Sequence, residues 1–336
     1  MDSLSPFELP LVDFGKILHG TPEERKAAAN QLVESFTKHG FVRLKNHGVS
    51  KEFVQQIWEW DRAFFNISEE VKMKVVHPPS PDPQRGWSKK GLEMTSKTRK
   101  ENAEMAPKDK GELLDEKEHF DCGPWDDVQF PNKFPSEEDL PGFQTFIKSY
   151  FDLAQSISLD IMRACEVGWG MEENALVSRC IPAASELRML HYPSVSINRL
   201  KNGTVKRAWP HTDFGIITLL FQDRLGGLEC EDRRKPSTFV PIIPNDENEL
   251  IVNTSDTFTR WTNGEVTGGV HQVSVPPSMR ELELGSIPER YSSVFFFKAH
   301  RATSVAPLEH FVREKPAMYP DITALEFHQE RTNFLY

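Results

Sequence analysis

The sequence predicts a mainly β protein, with a sandwich or barrel core, helices packed outside it and a helical N-terminal part. Three observations predict this class. From Leu187 onward, short apolar runs are parted by turn residues, as in a series of antiparallel strands. Ahead of them lie three stretches that read as helices. At 336 residues, with 38% hydrophobic content and 23 Phe, the chain is long and apolar enough for one large core.

The first helix starts at Thr21-Pro22-Glu23-Glu24, where Thr21 caps, Pro22 takes the first turn and Glu24 closes a capping box. It runs to about His39, with Gly40 as a left-handed stop. Phe41-Val42-Arg43-Leu44-Lys45 alternates as a strand. Ser50 caps a second helix whose Phe53, Val54, Ile57 and Phe64 lie roughly on one face. Between Pro78 and Pro135 the pattern dissolves. Pro78, Pro79, Pro81 and Pro83 mark irregular backbone, and the charged run around 97–110 reads as an exposed loop or short surface helix. Such a region either shapes access to a site or is a surface insertion, and no substrate residue is assigned to it.

Pro141-Gly142 opens the longest helical pattern, with Phe143, Ile147, Tyr150, Ala154, Ile157 and Ile161 at three- and four-residue steps, ending near Gly168. A helix this apolar backs a sheet. The strands expected after it are 187–192, 216–221, 227–231, 239–243, 250–253 and 293–297. Asn202-Gly203 and Asn263-Gly264 are turn signals. No internal repeat or low-complexity tract is evident.

Charge and cysteine usage exclude several classes. Lys+Arg 40 against Asp+Glu 50 gives −10, so nucleic acid and anionic membrane surfaces are poor partners. No apolar run reaches transmembrane length, and Met1-Asp2-Ser3-Leu4 does not open a signal peptide. Cys122, Cys165, Cys180 and Cys230 lack C-x-x-C spacing and read as free thiols of a cytoplasmic protein. The expectation is a soluble protein acting on a small molecule, with no obligate protein partner evident.

The chemistry centres on His211-Thr212-Asp213 and His271. On extended backbone, side chains at i and i+2 share a face, with Cα atoms about 7 Å apart. An imidazole and a carboxylate so placed can converge on one metal ion, and His271 from a later strand would complete two histidines and one carboxylate. That facial set leaves open coordination positions and suits non-haem Fe(II). The tripeptide alone is weak evidence, and the bland reading of His271 is a surface histidine in a Gly268-Gly269 loop, though those glycines equally suit a tight backbone approach to the site. The context strengthens the metal reading: a buried strand follows at Ile216–Phe221, and Arg290 and Ser292 sit two apart before another, Val294–Phe297. A guanidinium on a core strand needs an anionic partner, and a carboxylate bound by two hydrogen bonds supplies one.

In this order, H-x-D, H and R-x-S resemble the isopenicillin N synthase-like family of Fe(II)/2-oxoglutarate dioxygenases. Further blocks share the resemblance: Leu9–Asp13, His39–Val42, Asn46–Val49, Phe64–Ser68, Arg85-Gly86-Trp87, Asp115–Phe120, Thr262-Asn263-Gly264 and Tyr319–Ala324. They cover nearly the whole chain. The resemblance implies a double-stranded β-helix (jelly roll) core over 181–336 and a helical or mixed region over 1–180, together one structural unit. It implies Fe(II) held by His211, Asp213 and His271, with 2-oxoglutarate and O₂ as cosubstrates. Arg290, Ser292 and Tyr192 would bind the distal carboxylate of 2-oxoglutarate, whose other end chelates iron. Decarboxylation to succinate and CO₂ would then be coupled to oxidation of a substrate C–H bond.

The chain departs from the family at three places. Leu190 stands where Asn is frequent, Gln272 follows the histidine in place of Arg, and residues 279–289 read as an inserted loop. The flavour is that of fungal members such as thymine hydroxylase, and of polyketide-pathway enzymes that oxidise a ring methyl or expand a ring to a tropolone. An aromatic or polyketide-derived molecule of secondary metabolism is therefore the expected substrate class. Arg188, two residues before Leu190, either anchors an anionic or carbonyl-bearing substrate or forms a structural salt bridge. Phe214 either lines the pocket or packs. Asn46-His47-Gly48 is read as turn geometry, and His119, His191 and His300 as packed or surface histidines. The alternatives are an Fe(II) oxidase that uses no 2-oxoglutarate, as isopenicillin N synthase is, and a zinc-loaded hydrolase or silent binding protein on the same fold.

Overall fold

The computed structural model describes residues 7–77, 81–105, 113–201, 203, 205–333 and 335. Pro78, Pro79, Asn202, Met1–Leu4 and the end of the 97–110 charged run, on which parts of the sequence reading fall, lie outside these residues.

Twelve strands build two facing sheets. In chain order they are β1 (Leu11–Asp13), β2 (Phe41–Lys45), β3 (Gly86–Ser88), β4 (Glu118–Cys122), β5 (Glu186–Tyr192), β6 (Ala208–His211), β7 (Ile217–Gln222), β8 (Leu228–Glu231), β9 (Phe239–Pro241), β10 (Leu250–Thr254), β11 (His271–Val273) and β12 (Arg290–Phe297). The large sheet has the order β1-β2-β10-β7-β12-β5-β4-β3, and the small one β9-β8-β11-β6. Only the β1–β2 pair is parallel in these sheets. Leu190, Tyr192, Leu220 and Val294 of the large sheet pack against Ala208, Leu228 and Val273 of the small one. This is the two-sheet architecture of a double-stranded β-helix. The N-terminal strands β1–β4 join both flanks of the same large sheet, so residues before 180 are hydrogen-bonded into the core.

Helices α1 (Pro22–His39), α2 (Lys51–Asn66) and α3 (Phe143–Trp169) cover the outer face of the large sheet. The Thr21 capping box is present, with Glu24 closing it, and Gly40 ends α1 at φ 72°. Ser50 caps α2 by accepting from the Phe53 amide. The helix α3 continues one residue past Gly168 and stops at Gly170, φ 63°. Gly168 is instead where α1 and α3 touch. A Cβ there would lie 2.6 Å from Val33 Cγ2 and 2.9 Å from the Ala29 carbonyl oxygen. Gly168→Ala is expected to lower stability by about 1–3 kcal/mol through this overpacking. A thermal melt with an unchanged Tm would show that the helices can part without loss.

Three sequence expectations need correction. The stretch between Pro78 and Pro135 is not pattern-free, because β3 and β4 extend the large sheet. In β4 every side chain is buried, polar ones included, and ion pairs rather than apolar alternation satisfy them. The supposed insertion 279–289 contains a short strand, Ser286–Ile287, that pairs with Val195–Ser196. Asn263-Gly264, both with positive φ, terminates a helix at Asp256–Trp261 and joins no strands directly. Among the described residues no helix is long and apolar enough to cross a membrane.

Candidate active site

The site lies between the sheets. His211 ends β6 and His271 starts β11, and the antiparallel register sets them opposite each other, with ring centroids 4.3 Å apart. Asp213 follows in the loop to β7. Amide hydrogen bonds from Ser255, Asp256 and Thr257 to the carbonyls of Ile216, Asp213 and Gly215 pin that loop. Gly215 permits the approach, since a Cβ there would stand 2.5 Å from the Phe297 carbonyl oxygen. Gly269 serves His271 likewise: a Cβ would meet Phe41 at 2.5 Å and the Gly40 carbonyl at 2.6 Å. The Gly-Gly pair thus marks tight packing beside the site.

Each of the three side chains is oriented from behind. His211 Nδ1 lies 2.6 Å from the Trp209 carbonyl, and His271 Nδ1 lies 2.9 Å from the Gly269 carbonyl. With the Nδ1 proton donated to a carbonyl, each Nε2 keeps its lone pair for a metal. Asp213 Oδ2 accepts from Thr218 Oγ1 at 2.6 Å and Asn253 Nδ2 at 2.8 Å. Its Oδ1 is left 3.9 Å from both Nε2 atoms. One ligand atom from each residue lies within 4.8 Å of the others. Burial, then the neighbouring His271, pushes His211 down to about 3, so it is neutral at ordinary pH. Burial works to raise Asp213, but the two imidazoles and its hydrogen bonds outweigh it and keep the carboxyl below its usual range. Two imidazoles and one carboxylate on one side fit Fe(II).

A cavity lined by the triad is also lined by Arg290 and Ser292. Arg290 is fully buried and faces Tyr192 across the β5–β12 pair, while Ser292 sits opposite Leu190 and Gln222. Its guanidinium lies 4.8 Å over the Tyr192 ring. It donates to the Gly226 carbonyl (2.9 Å), Ser292 Oγ (3.0 Å) and Gln222 Oε1 (3.1 Å). Those bonds use three of five N–H groups. Among the described residues no carboxylate lies within 4.0 Å of it. A buried cation with spare donors at the end of a cavity fits a dicarboxylate reaching from the metal. Leu190 adds an apolar wall where a further hydrogen bond is absent.

A second chamber also borders His211 and Asp213. Phe214 and Arg188 line it, and Arg188 borders both cavities. Arg188 is also tightly held: Nε donates to Asp121 (2.7 Å), Nη1 to Glu93 (2.9 Å) and Nη2 to Gln84. Burial pushes the Asp121 carboxyl up to about 6 against the pull of Arg188. Sequence reasoning passed over Gln84, Glu93, Lys117, Lys298 and His328, which share this lining. Lys117 lay inside a recognised block, but nothing in its spacing pointed inward. His119 is packed in the same wall, 3.0 Å from Gln84 Oε1, and His191 stacks on Tyr291. Asn46 and Gly48 have positive φ, as a turn requires, and His47 Nε2 separately lies 2.6 Å from the distant Asn248 carbonyl.

Comparisons with known proteins fit this geometry. Residues 183–299 match the 2OG-Fe(II) oxygenase superfamily, and residues 9–137 match the N-terminal region described as non-haem dioxygenase in morphine synthesis. The 2-oxoglutarate-dependent dioxygenase imqE of Aspergillus flavus is 43% identical, over 98% of this chain and 95% of its own. The chain belongs to the 2OG-Fe(II) oxygenase superfamily. The oxygenase is also 43% identical to the 2-oxoglutarate-dependent dioxygenase ecdK of Aspergillus rugulosus, over 97% of this chain and 98% of that one. Among solved structures, the full-length thymine-7-hydroxylase of Neurospora crassa in complex with alpha-KG superposes with a TM-score of 0.84 at 31% identity. That match covers 97% of this chain and 96% of the hydroxylase. The oxygenase is accordingly an Fe(II)- and 2-oxoglutarate-dependent dioxygenase, which sets aside the hydrolase and silent-protein alternatives.

Proposed function

We propose that His211, Asp213 and His271 hold Fe(II), and that Arg290, Ser292 and Tyr192 bind the distal carboxylate of 2-oxoglutarate. The substrate, a small aromatic or polyketide-derived molecule of secondary metabolism, occupies the chamber beside Phe214 and is oxidised at a methyl or ring carbon. The observation that carries this reading is the buried Arg290, without a carboxylate partner among the described residues, at the far end of the cavity that starts at the triad. It also supports 2-oxoglutarate use over an oxidase that dispenses with it. Bound iron, with 2-oxoglutarate and O₂, supplies the oxidising chemistry. The chain's own part is orientation: the carbonyls behind His211 and His271 fix the imidazoles, Thr218 and Asn253 aim Asp213, and the sheets exclude water.

Arg188 acts in this reading on the chamber wall, through Glu93 and Gln84. The Neurospora crassa hydroxylase has also been solved with thymine, a methylated heteroaromatic, which supports a ring methyl as the target. A cytoplasmic location is part of the reading, supported by four buried, unpaired cysteines. The test is aerobic incubation of the Fe(II)-loaded protein with 2-oxoglutarate and a panel of methylated aromatic compounds. One compound is expected to gain an oxygen atom with matching succinate. Substrate oxidation without succinate would overturn the cosubstrate assignment.

A further inference from the structure

The walls of the substrate chamber are built of charges that already have partners. Glu93 accepts from Arg188 at 2.9 Å and pairs with Lys117 at 2.9 Å. Arg188 also grips Asp121 at 2.7 Å, and Lys117 grips Asp115 at 3.1 Å. Across the chamber, Glu186 is shared by Lys298 and Arg85. Among the described residues, an ion placed between these walls would find no free counter-charge, and its desolvation would go uncompensated.

One neutral polar group in the lining is differently placed. Gln84 is buried, and its Oε1 receives both Arg188 Nη2 and His119 Nε2, the latter at 3.0 Å. A guanidinium only donates, so the amide oxygen must face it. The Gln84 Nε2 is therefore the other arm of the amide, in the same plane, and among the described residues its side chain is held only through Oε1 while it lines the chamber. Arg188 fixes Glu93 and Gln84 side by side, with an amide donor left for a ligand.

We infer that the chamber takes a net-neutral molecule that presents a carbonyl oxygen to Gln84 Nε2, with Arg188 as the positioning residue behind it. The inference rests on the proposed placement of the substrate in this chamber. It narrows the sequence expectation, which allowed an anionic substrate held by Arg188 itself.

The test uses three probes of one shape: m-toluamide, m-toluate and m-methylbenzylammonium. Binding is measured by anaerobic calorimetry on the Fe(II)-loaded protein, after 2-oxoglutarate has been titrated into the same sample. The amide is expected to bind at least about ten-fold more tightly than either ion. In Gln84→Leu its affinity is expected to fall about ten-fold. Equal or tighter binding of the carboxylate or the ammonium overturns the inference, as does binding by none of the three. The wild-type comparison stands even if the variant fails to fold. Failure of 2-oxoglutarate to bind defeats the proposed function and this inference together, whereas its binding without amide preference defeats this inference alone.

Discussion

Arg290→Leu is expected to raise the apparent KM for 2-oxoglutarate on the order of 100-fold, while iron binding is retained. The residue is fully buried, has no carboxylate within 4.0 Å among the described residues and keeps two N–H groups uncommitted. An arriving carboxylate would find a desolvated guanidinium already fixed by Gly226, Ser292 and Gln222, and would meet little reorganisation. Losing one partner of such a pair typically costs about 2–5 kcal/mol. The proposed metal ligands are on β6, on β11 and in the loop before β7, not on the strand of Arg290, and are expected to stay in place. Steady-state kinetics in 2-oxoglutarate measure the effect, and melting curves give an independent reading. Saturating 2-oxoglutarate is expected to raise the Tm of the iron-loaded wild type and to leave that of the variant nearly unchanged. A KM within about three-fold of wild type would show that the carboxylate binds elsewhere.

Asp213→Ala is expected to abolish detectable turnover and to weaken Fe(II) binding by more than about 100-fold. Asp213 is the one anion of the triad, and Oδ1 is its only oxygen left free by Thr218 and Asn253. The graded companion is Asn253→Ala, which removes a hydrogen bond 2.8 Å from Oδ2 and touches no metal position itself. A loss of about 10–100-fold in metal affinity is expected there. Titration of the apo proteins with Fe(II) under nitrogen separates the two. Equal effects would mean that Asn253 matters through folding, and no effect in Asp213→Ala would remove Asp213 from the metal site.

Much of this was legible in the sequence because local chemistry decided it. The capping box at Thr21, the Gly40 stop and the Ser50 cap are contacts within a few residues, so a short window contains both partners. The triad was legible for another reason: two of its members are two residues apart, and the third is marked by glycines that a close approach requires. What stayed hidden depends on partners far along the chain. β4 looks polar, yet Glu118 and Asp121 are ion-paired with Lys72 and Arg188 and His119 is hydrogen-bonded to Gln84, partners that lie 35 to 67 positions away. Periodicity measures where apolar residues fall, and a strand whose buried residues are ion-paired gives it no signal. The same distance concealed the chamber wall, where Glu93 and Arg188 meet across 95 positions.

Chelation of 2-oxoglutarate at the triad is tested most directly by an anaerobic titration of the apo protein with Fe(II) and then 2-oxoglutarate, followed by visible absorption. A weak metal-to-ligand charge-transfer band is expected, which saturates with 2-oxoglutarate, disappears in His211→Ala and needs far more 2-oxoglutarate in Arg290→Leu. Iron binding without any such band would contradict chelation of 2-oxoglutarate at the His211, Asp213 and His271 site.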